Sequence, residues 1–470
     1  MGNGEDRISG LPDELLHCIL VRLGSARAAA RTSVLSRRWR PVWTRLPELL
    51  LDGNEAPPRA RSFLDAVDAA LAAYSAPTLE LLRITVPDTG GLRVPPHRLA
   101  LWLWFASQRV VDTLYLHVPL RSLSLDGKGE AELEIPPCGA AKTIVLNLGG
   151  RLRIRLVGLF SALTVLDIQI ARMEGSELTA LVCTQCPLLK ELILFIGLVA
   201  DSNVSICSDS LHTLQFFVRK TQRLEIVAPK LEELWMSLAT EVHVSAPKLS
   251  DIFLIGQPGM TYDPRRHQFA GVSQHLRLLD ISQESTAVSL MQHFFEVTEL
   301  KVLISIANGI GGYERFLNET NKLPKCETLR ITLAWNHHGL VPAVLHFLKR
   351  CSSTRNLSVG LPNSCDPSVG YSCPSSCPCR LAESHKIDDI ALNSLEVVEI
   401  SSWASSLEEM EFVEQLSRCK AAVLKKLVIK DTKSPATLTK SSCEMVRSIC
   451  RADLKIEFYV RSDERLMRFD

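Results

Sequence analysis

Four cysteines crowd into the stretch CDPSVGYSCPSSCPC: Cys365, Cys373, Cys377 and Cys379. The C-x3-C spacing of Cys373 and Cys377 is one that thiolates can use to grip zinc. Yet a single residue separates Cys377 from Cys379, prolines and serines fill the gaps, and no second paired knuckle follows. A reduced Pro/Ser-rich loop is therefore the expected form, with zinc left as the open alternative. His337 and His338 are adjacent, a poor arrangement for one helical metal face, and read as solvated loop residues. Cys18 sits among apolar neighbours and reads as a buried, unreactive thiol. The chain has no GxGxxG, Walker A, HExxH, GxSxG or EF-hand pattern. No nucleophile, base and oxyanion donor assemble from its motifs, so neither catalytic residues nor a cofactor are expected.

The other unusual constellation is LSRRWRPVW, from Leu35 to Trp43, with two tryptophans and three arginines. Aromatic and basic residues together can bind nucleic acid. Residues 1–50 hold eight arginines against five acids, but the whole chain of 470 residues carries a net charge of only +1. That balance points to a solvated basic rim, and no nucleic-acid partner is expected. Hydrophobic residues make up 46% and charged residues 22%, as in ordinary globular proteins. A single core rarely exceeds roughly 250–300 residues, so several units or a repeat architecture are required. The first residues, MGNGEDRISG, lack the basic and apolar blocks of a secretory leader. No apolar run reaches ~18 residues, so no membrane span is expected. The fourteen cysteines then read as reduced thiols, in a protein of the cytoplasm, the nucleus or both.

The elements that position LSRRWRPVW begin at LPDELLHCILVRLG. Leu15, Leu16, Ile19, Leu20 and Leu23 recur at helical spacing, Pro12 suits the first turn, and Gly24 suits the stop. SARAAARTSVL predicts a second helix, and Ser36 is a candidate cap for a third. Pro41 should tighten or kink that third helix, while the i, i+4 spacing puts Trp39 and Trp43 on one side. Fifty residues carry little core, so such a unit needs a partner or a neighbouring domain.

This segment, LPDELLHCILVRLGSARAAARTSVLSRRWRPVWTRLPELLLD, resembles the F-box, and its opening LPxELLxxIL and closing TSVLSRRWRxxWxxLPxLxLD match the plant form. The resemblance implies docking on an SKP-type adaptor and, through it, a cullin. It also implies an adaptor-binding set of Leu11, Pro12, Leu15, Ile19, Leu20, Val34, Leu35 and Trp39, with Trp43 packed inward. Gly24 stands where the family commonly has proline, and the segment after it has Arg27 and no aspartate; both bear on the second helix.

Beyond GNEAPPRA, a linker, ARSFLDAVDAALAAY and HRLALWLWFASQ predict two helices. Then L-x-x-L-x-L segments recur, among them VDTLYLHV, SALTVLDIQI, CPLLKELILFI, DSLHTLQFFV, QRLEIVAPKLEELWM, VHVSAPKLSDIFLI, QHLRLLDIS, VTELKVLISI, CETLRITL and TRNLSVGL. Their usual spacing of roughly 20–30 residues is that of leucine-rich repeats, which share one core by stacking. APKLEEL and APKLSDI form a local duplication, and the loop from Gly256 to Gly271 is a candidate partner contact. Near the end, SLEVVEISSWASSLEEMEFVEQLSRCKAAVLKKLVIK reads strand, helix, strand and resembles the FBD domain of plant F-box proteins.

The expected fold class is α/β: a small N-terminal three-helix F-box, an irregular leucine-rich-repeat solenoid, and a βαβ-like FBD unit capping it. The expected borders are 5–52 for the F-box, 53–110 for the linker and helical lead-in, 111–364 for the repeats, 365–385 for the cysteine-rich loop and 386–465 for the FBD-like unit. The implied function is substrate recognition within an SKP-cullin-F-box ubiquitin ligase, with an unidentified target protein held by the repeats. The alternative is a leucine-rich-repeat scaffold without ubiquitin transfer.

Overall fold

Pro12 and the two acids behind it start a helix, and a computed structural model of the chain shows it as α1 (Asp13–Val21). The structure describes residues 11–34, 38–55, 60–88, 94–119, 131–149, 152–255, 262–283, 285–334, 340–350, 352–361, 374–381, 392–403, 405, 407–419, 423–432, 438–462 and 465–469. Gly24 ends the α1 turn in the left-handed region at φ 65°, with its N–H on Val21 O at 2.9 Å. Ser25 then caps α2 (Ala26–Arg31) by accepting from the Ala28 N–H. Pro41 limits α3 to Trp39–Val42, and a 3-10 turn completes it through Arg45. Ser36 and Leu35 lie outside the described residues.

The chain divides into two compact units, with the border between 233 and 272. In the first, strands β1 (Glu48–Asp52), β2 (Leu79–Thr85), β3 (Val110–His117), β4 (Ala131–Ile135), β5 (Thr143–Asn147), β6 (Leu152–Leu156), β7 (Val165–Met173), β8 (Glu191–Cys207) and β9 (Thr213–Val227) alternate with α4 (Ala60–Ala73), α5 (Pro96–Arg109) and α6 (Gly175–Ala180). β1, β2, β3, β5, β7, β8 and β9 pair in that order, all parallel. Their register aligns Leu49, Leu82, Leu114, Ile144, Leu166, Leu192 and Leu214 in one continuous buried row. β4 pairs with β6, and the second half of β9 pairs with a further strand at Glu241–Ser245.

The second unit opens with β10 (Glu233–Met236), the Glu241–Ser245 strand of the first unit being β11. It continues with β12 (Asp251–Ile255), β13 (His267–Gln268), β14 (His275–Gln283), β15 (Glu296–Ile304), β16 (Lys325–Leu333), β17 (Asn356–Gly360), β18 (Val397–Ser401), β19 (Lys426–Asp431), β20 (Lys455–Ser462) and β21 (Arg465–Arg468). β14 to β20 pair successively in parallel, and β21 returns antiparallel on β20. Helices α7 (Ile310–Glu319), α8 (Leu340–Leu348), α9 (Leu407–Arg418) and α10 (Lys440–Ile449) lie on the connections. The APKL duplication places Leu234 opposite Ile252 across β10 and β12, so the repeat in sequence is a repeat in space. The predicted strand–helix–strand near the end is β18, α9 and β19, with Phe412, Val413 and Leu416 buried.

Helices and parallel strands make this an α/β chain, and each of the ten leucine-rich segments contains a strand. Parallel pairing starts earlier than the expected position 111: β1 and β2 already belong to the ladder. The line between units also falls inside the stretch expected to be one repeat region. Within the Gly256–Gly271 loop, Tyr262, His267 and Phe269 are buried, while residues 256–261 lie outside the described set. Cys377 and Cys379 are buried, with their sulfurs 3.2 Å apart; Cys365 and Cys373, and also His337 and His338, lie outside the described residues. Among the described residues no helix is long and apolar enough to cross a membrane.

One buried histidine in the second unit makes a pH prediction. Arg350 Nη1 donates to His346 Nδ1 at 3.2 Å, so Nε2 carries the proton and donates to Thr320 Oγ1 at 2.8 Å. Thr320 in turn donates to Phe316 O at 2.6 Å. Burial first, and the Arg350 charge second, push the imidazole down to about 4. The neutral ring is thus favoured in the fold, and unfolding takes up a proton. Its contribution is complete above the unfolded value near 6.5 and is lost as pH falls towards 4. Stability should fall by up to ~1.4 kcal/mol per pH unit in that window. Urea unfolding at stepped pH checks this, and His346→Gln should flatten that part of the slope.

Candidate functional site

The five apolar residues of α1 occupy two lines. Leu16 and Leu20, one turn apart, face inward and are essentially fully buried. Leu15, Ile19 and Leu23, also one turn apart, are 49%, 41% and 45% exposed. A helix whose outward line is this apolar has more hydrophobic surface than its own unit can cover. Val34, just after α2, adds a side chain that is 86% exposed.

The inward line meets Ala29, Trp39, Val42 and Leu46, which together with Leu16 and Leu20 form one small core. Leu11, Val21 and Trp43 pack against it from the edge. Polar contacts fix the N-terminal end and the middle of the helix. Arg38 Nη2 donates to Leu11 O and, at 2.8 Å, to Asp13 Oδ1. The Arg38 hydrogen bond holds the Asp13 carboxyl below its usual range. His17 Nε2 donates to Val42 O at 3.2 Å, tying α1 to α3. Further along, the Tyr74 hydroxyl donates to Leu46 O at 2.8 Å, and Glu80 N–H donates to Pro47 O. The outward line is therefore held on a fixed frame that runs straight into the first unit's sheet.

The residues named for adaptor binding fall into three groups. Pro12, Leu15, Ile19 and Val34 are exposed, and Leu11 is half-buried. Leu20 and Trp39 are interior, 1% and 3% exposed, because so small a unit needs its largest apolar groups as core. Leu35 lies outside the described residues. The expected depths of the tryptophans are reversed: Trp39 is buried and Trp43 is half-buried, though both do face the same core. Cys18 is exposed, contrary to its expected burial, since it lies on the outward side of α1. Leu23 belongs with the exposed line and was absent from the adaptor set, although its i+8 spacing from Leu15 marks it. Arg22, Arg27, Arg31 and Arg45 are exposed.

Among the described residues no three metal-ligating side chains gather. What the N-terminal arrangement can do chemically is bury apolar area against another protein.

An Arabidopsis thaliana F-box/FBD/LRR-repeat protein is 26% identical over 70% of this chain and 71% of its own length. An Arabidopsis FBD-associated F-box protein is 26% identical over 53% of this chain and 59% of its own length. A second F-box/FBD/LRR-repeat protein is 27% identical over 43% of each. The chain is similar to plant F-box/FBD/LRR-repeat proteins. The first and third of those names carry the three segment types that the motifs indicated, and the second carries F-box and FBD. Another F-box relative matches over 60% of its own length, so the chain spans about three fifths to seven tenths of the length of this relative and the first two above. No protein-family model matches the chain.

Proposed function

We propose that this chain is the substrate-recognition subunit of an SKP-cullin-F-box ubiquitin ligase. Helices α1 to α3 are the F-box, the parallel ladders are an irregular leucine-rich-repeat array, and the β18–α9–β19 region is the FBD-like end. The chain itself carries no catalytic group in this reading. It accelerates transfer by proximity, holding a target protein near a ubiquitin-charged enzyme bound elsewhere. It works in the cytoplasm, the nucleus or both. The observation that carries the reading is the outward Leu15, Ile19 and Leu23 line on a helix whose inward line is already satisfied.

A second reading, a repeat scaffold whose N-terminal helices only cap the sheet, is favoured by the β1–β2 pairing and the Tyr74 and Glu80 hydrogen bonds. Co-purification with an SKP-type adaptor separates the two. Wild type should form a stoichiometric complex. Leu15→Asp combined with Ile19→Asp should lose about a hundredfold or more in affinity, with melting nearly unchanged because both positions are outward. Wild type that is folded yet stays free of the adaptor leaves only the scaffold.

A further inference from the structure

Strand register sorts the outward side chains of the first unit into rows. One row runs Tyr115, Val145, Asp167, Ile193 across β3, β5, β7 and β8. The next runs His117, Asn147, Gln169, Phe195, Phe217 and extends onto β9. Leu166 and Ile168 are fully buried, so Asp167 and Gln169 between and after them face the other way.

Asp167 is a half-buried carboxylate that meets no cation among the described residues. Its partner is Gln169 Nε2, at 3.0 Å from each oxygen. Val145 and Ile193 flank it in register. Burial raises its carboxyl above the usual range, and the Glu191 charge adds to that. One strand away, Asn147 Oδ1 is buried with no hydrogen-bond partner among the described residues. Two acceptors thus lack a strong donor on one small area. Beside them the rings of Phe195 and Phe217 lie 4.4 Å apart, with Phe195 42% exposed.

Several outward acids in this chain meet a cation on the neighbouring strand. Asp112 meets Lys142 at 3.0 Å, Glu299 meets Arg330 at 2.7 Å, and Glu399 meets Lys430 at 2.6 Å. Asp167 has Val145 and Ile193 as its register neighbours instead of a cation.

We propose that Asp167 and Asn147, with Val145, Ile193, Phe195 and Phe217 around them, receive an arginine of an extended segment of the target protein. This rests on the reading that the array holds a target, and names the chemistry of what it holds. Arginine fits better than lysine because its planar fork offers several donors at once, enough to span acceptors on adjacent strands. A charge-assisted bond formed in a half-buried place is among the stronger polar contacts. The arginine stem lies on Val145 and Ile193, and an apolar residue of the same segment covers the phenylalanine pair.

The test uses the purified full chain and a positional-scanning library of short blocked peptides. The central residue is fixed as arginine, lysine, citrulline or aspartate, and the flanks are randomised. The arginine pool should be retained about tenfold or more over citrulline, its neutral isostere, with apolar residues enriched in the flanks. Asp167→Asn should erase that preference while melting no lower than wild type, since it removes an uncompensated carboxylate. Ile193→Lys, an outward change that supplies a cation beside Asp167, should block the arginine pool as well. Equal retention of arginine and citrulline, or a preference that survives both substitutions, overturns the proposal. Adaptor co-purification is run on the same samples. Its loss alongside an intact arginine preference counts against the ligase reading and leaves this site standing.

Discussion

Trp39→Ala should melt the N-terminal helices while leaving the strands of the first unit largely in place. The indole is 3% exposed and is the largest member of a core of six buried residues among those described. Truncating a buried tryptophan costs about 3–5 kcal/mol. A core this small has few neighbours able to collapse into the void, so the upper part of that range applies. α3 has only four residues, which gives it little helical stability of its own once the indole is gone. The loss should be local first, because opening free energies differ across a structure and small units sit at the low end. Hydrogen exchange should show the α1 amides of Leu16 and Leu20 losing protection while β7 and β8 keep theirs. Val34→Ala, at a position 86% exposed, should change stability by less than ~0.5 kcal/mol. Adaptor capture should fall in both variants for different reasons: in Trp39→Ala because the frame is lost, in Val34→Ala only through lost contact area. Retained α1 protection in Trp39→Ala would mean the indole is not the pin of this unit.

The N-terminal helices show how far spacing alone reaches. The period of Leu15, Leu16, Ile19, Leu20 and Leu23 announces a helix, and Pro12 and Gly24 mark its ends. Spacing does not tell which apolar line goes inside, because neighbouring positions differ by only about 100° around the axis and both lines are leucine-rich. That choice is made by Trp39, arriving from another helix. The tryptophan spacing likewise gives the shared side but not the depth, which depends on how Pro41 shortens α3. In the sheets, alternation of leucine with polar residues is read easily from position 111 onward. β1 and β2 are hidden for a different reason: LPELLLD and LELLRIT hold short runs of adjacent leucines, which do not separate strand from helix. The aspartate in VLDIQI looks like any outward strand residue until register shows Val145 and Ile193 beside it. Register is a pairing between distant segments, and a single strand carries no record of it.

Leu329→Asp should prevent the second unit from folding. Leu329 is fully buried in a register row with Leu279, Leu300, Leu357, Val398 and Leu427, all 0–1% exposed. An ionised aspartate there has aliphatic neighbours on both sides and no donor from them. It must either stay protonated, against its usual range, or pull the strands apart to reach water. Either route costs on the order of 5 kcal/mol, comparable with the whole stability of many domains. Because stacked units are stabilised largely by nearest neighbours, the damage spreads to β15 and β17, which flank β16. Arg330→Ala, one residue on, is the matched comparison. Arg330 faces the other way and meets Glu299 at 2.7 Å with about half its side chain exposed, so its loss should cost at most ~1 kcal/mol. Urea unfolding and soluble yield of the two variants measure the difference. The contrast is sharp because a slip of one residue in β16 would exchange the two faces, making Arg330 the interior residue and Leu329 the tolerant one. A Leu329→Asp protein as stable as Arg330→Ala would therefore overturn the register itself, and with it the aliphatic row that joins these strands into one core.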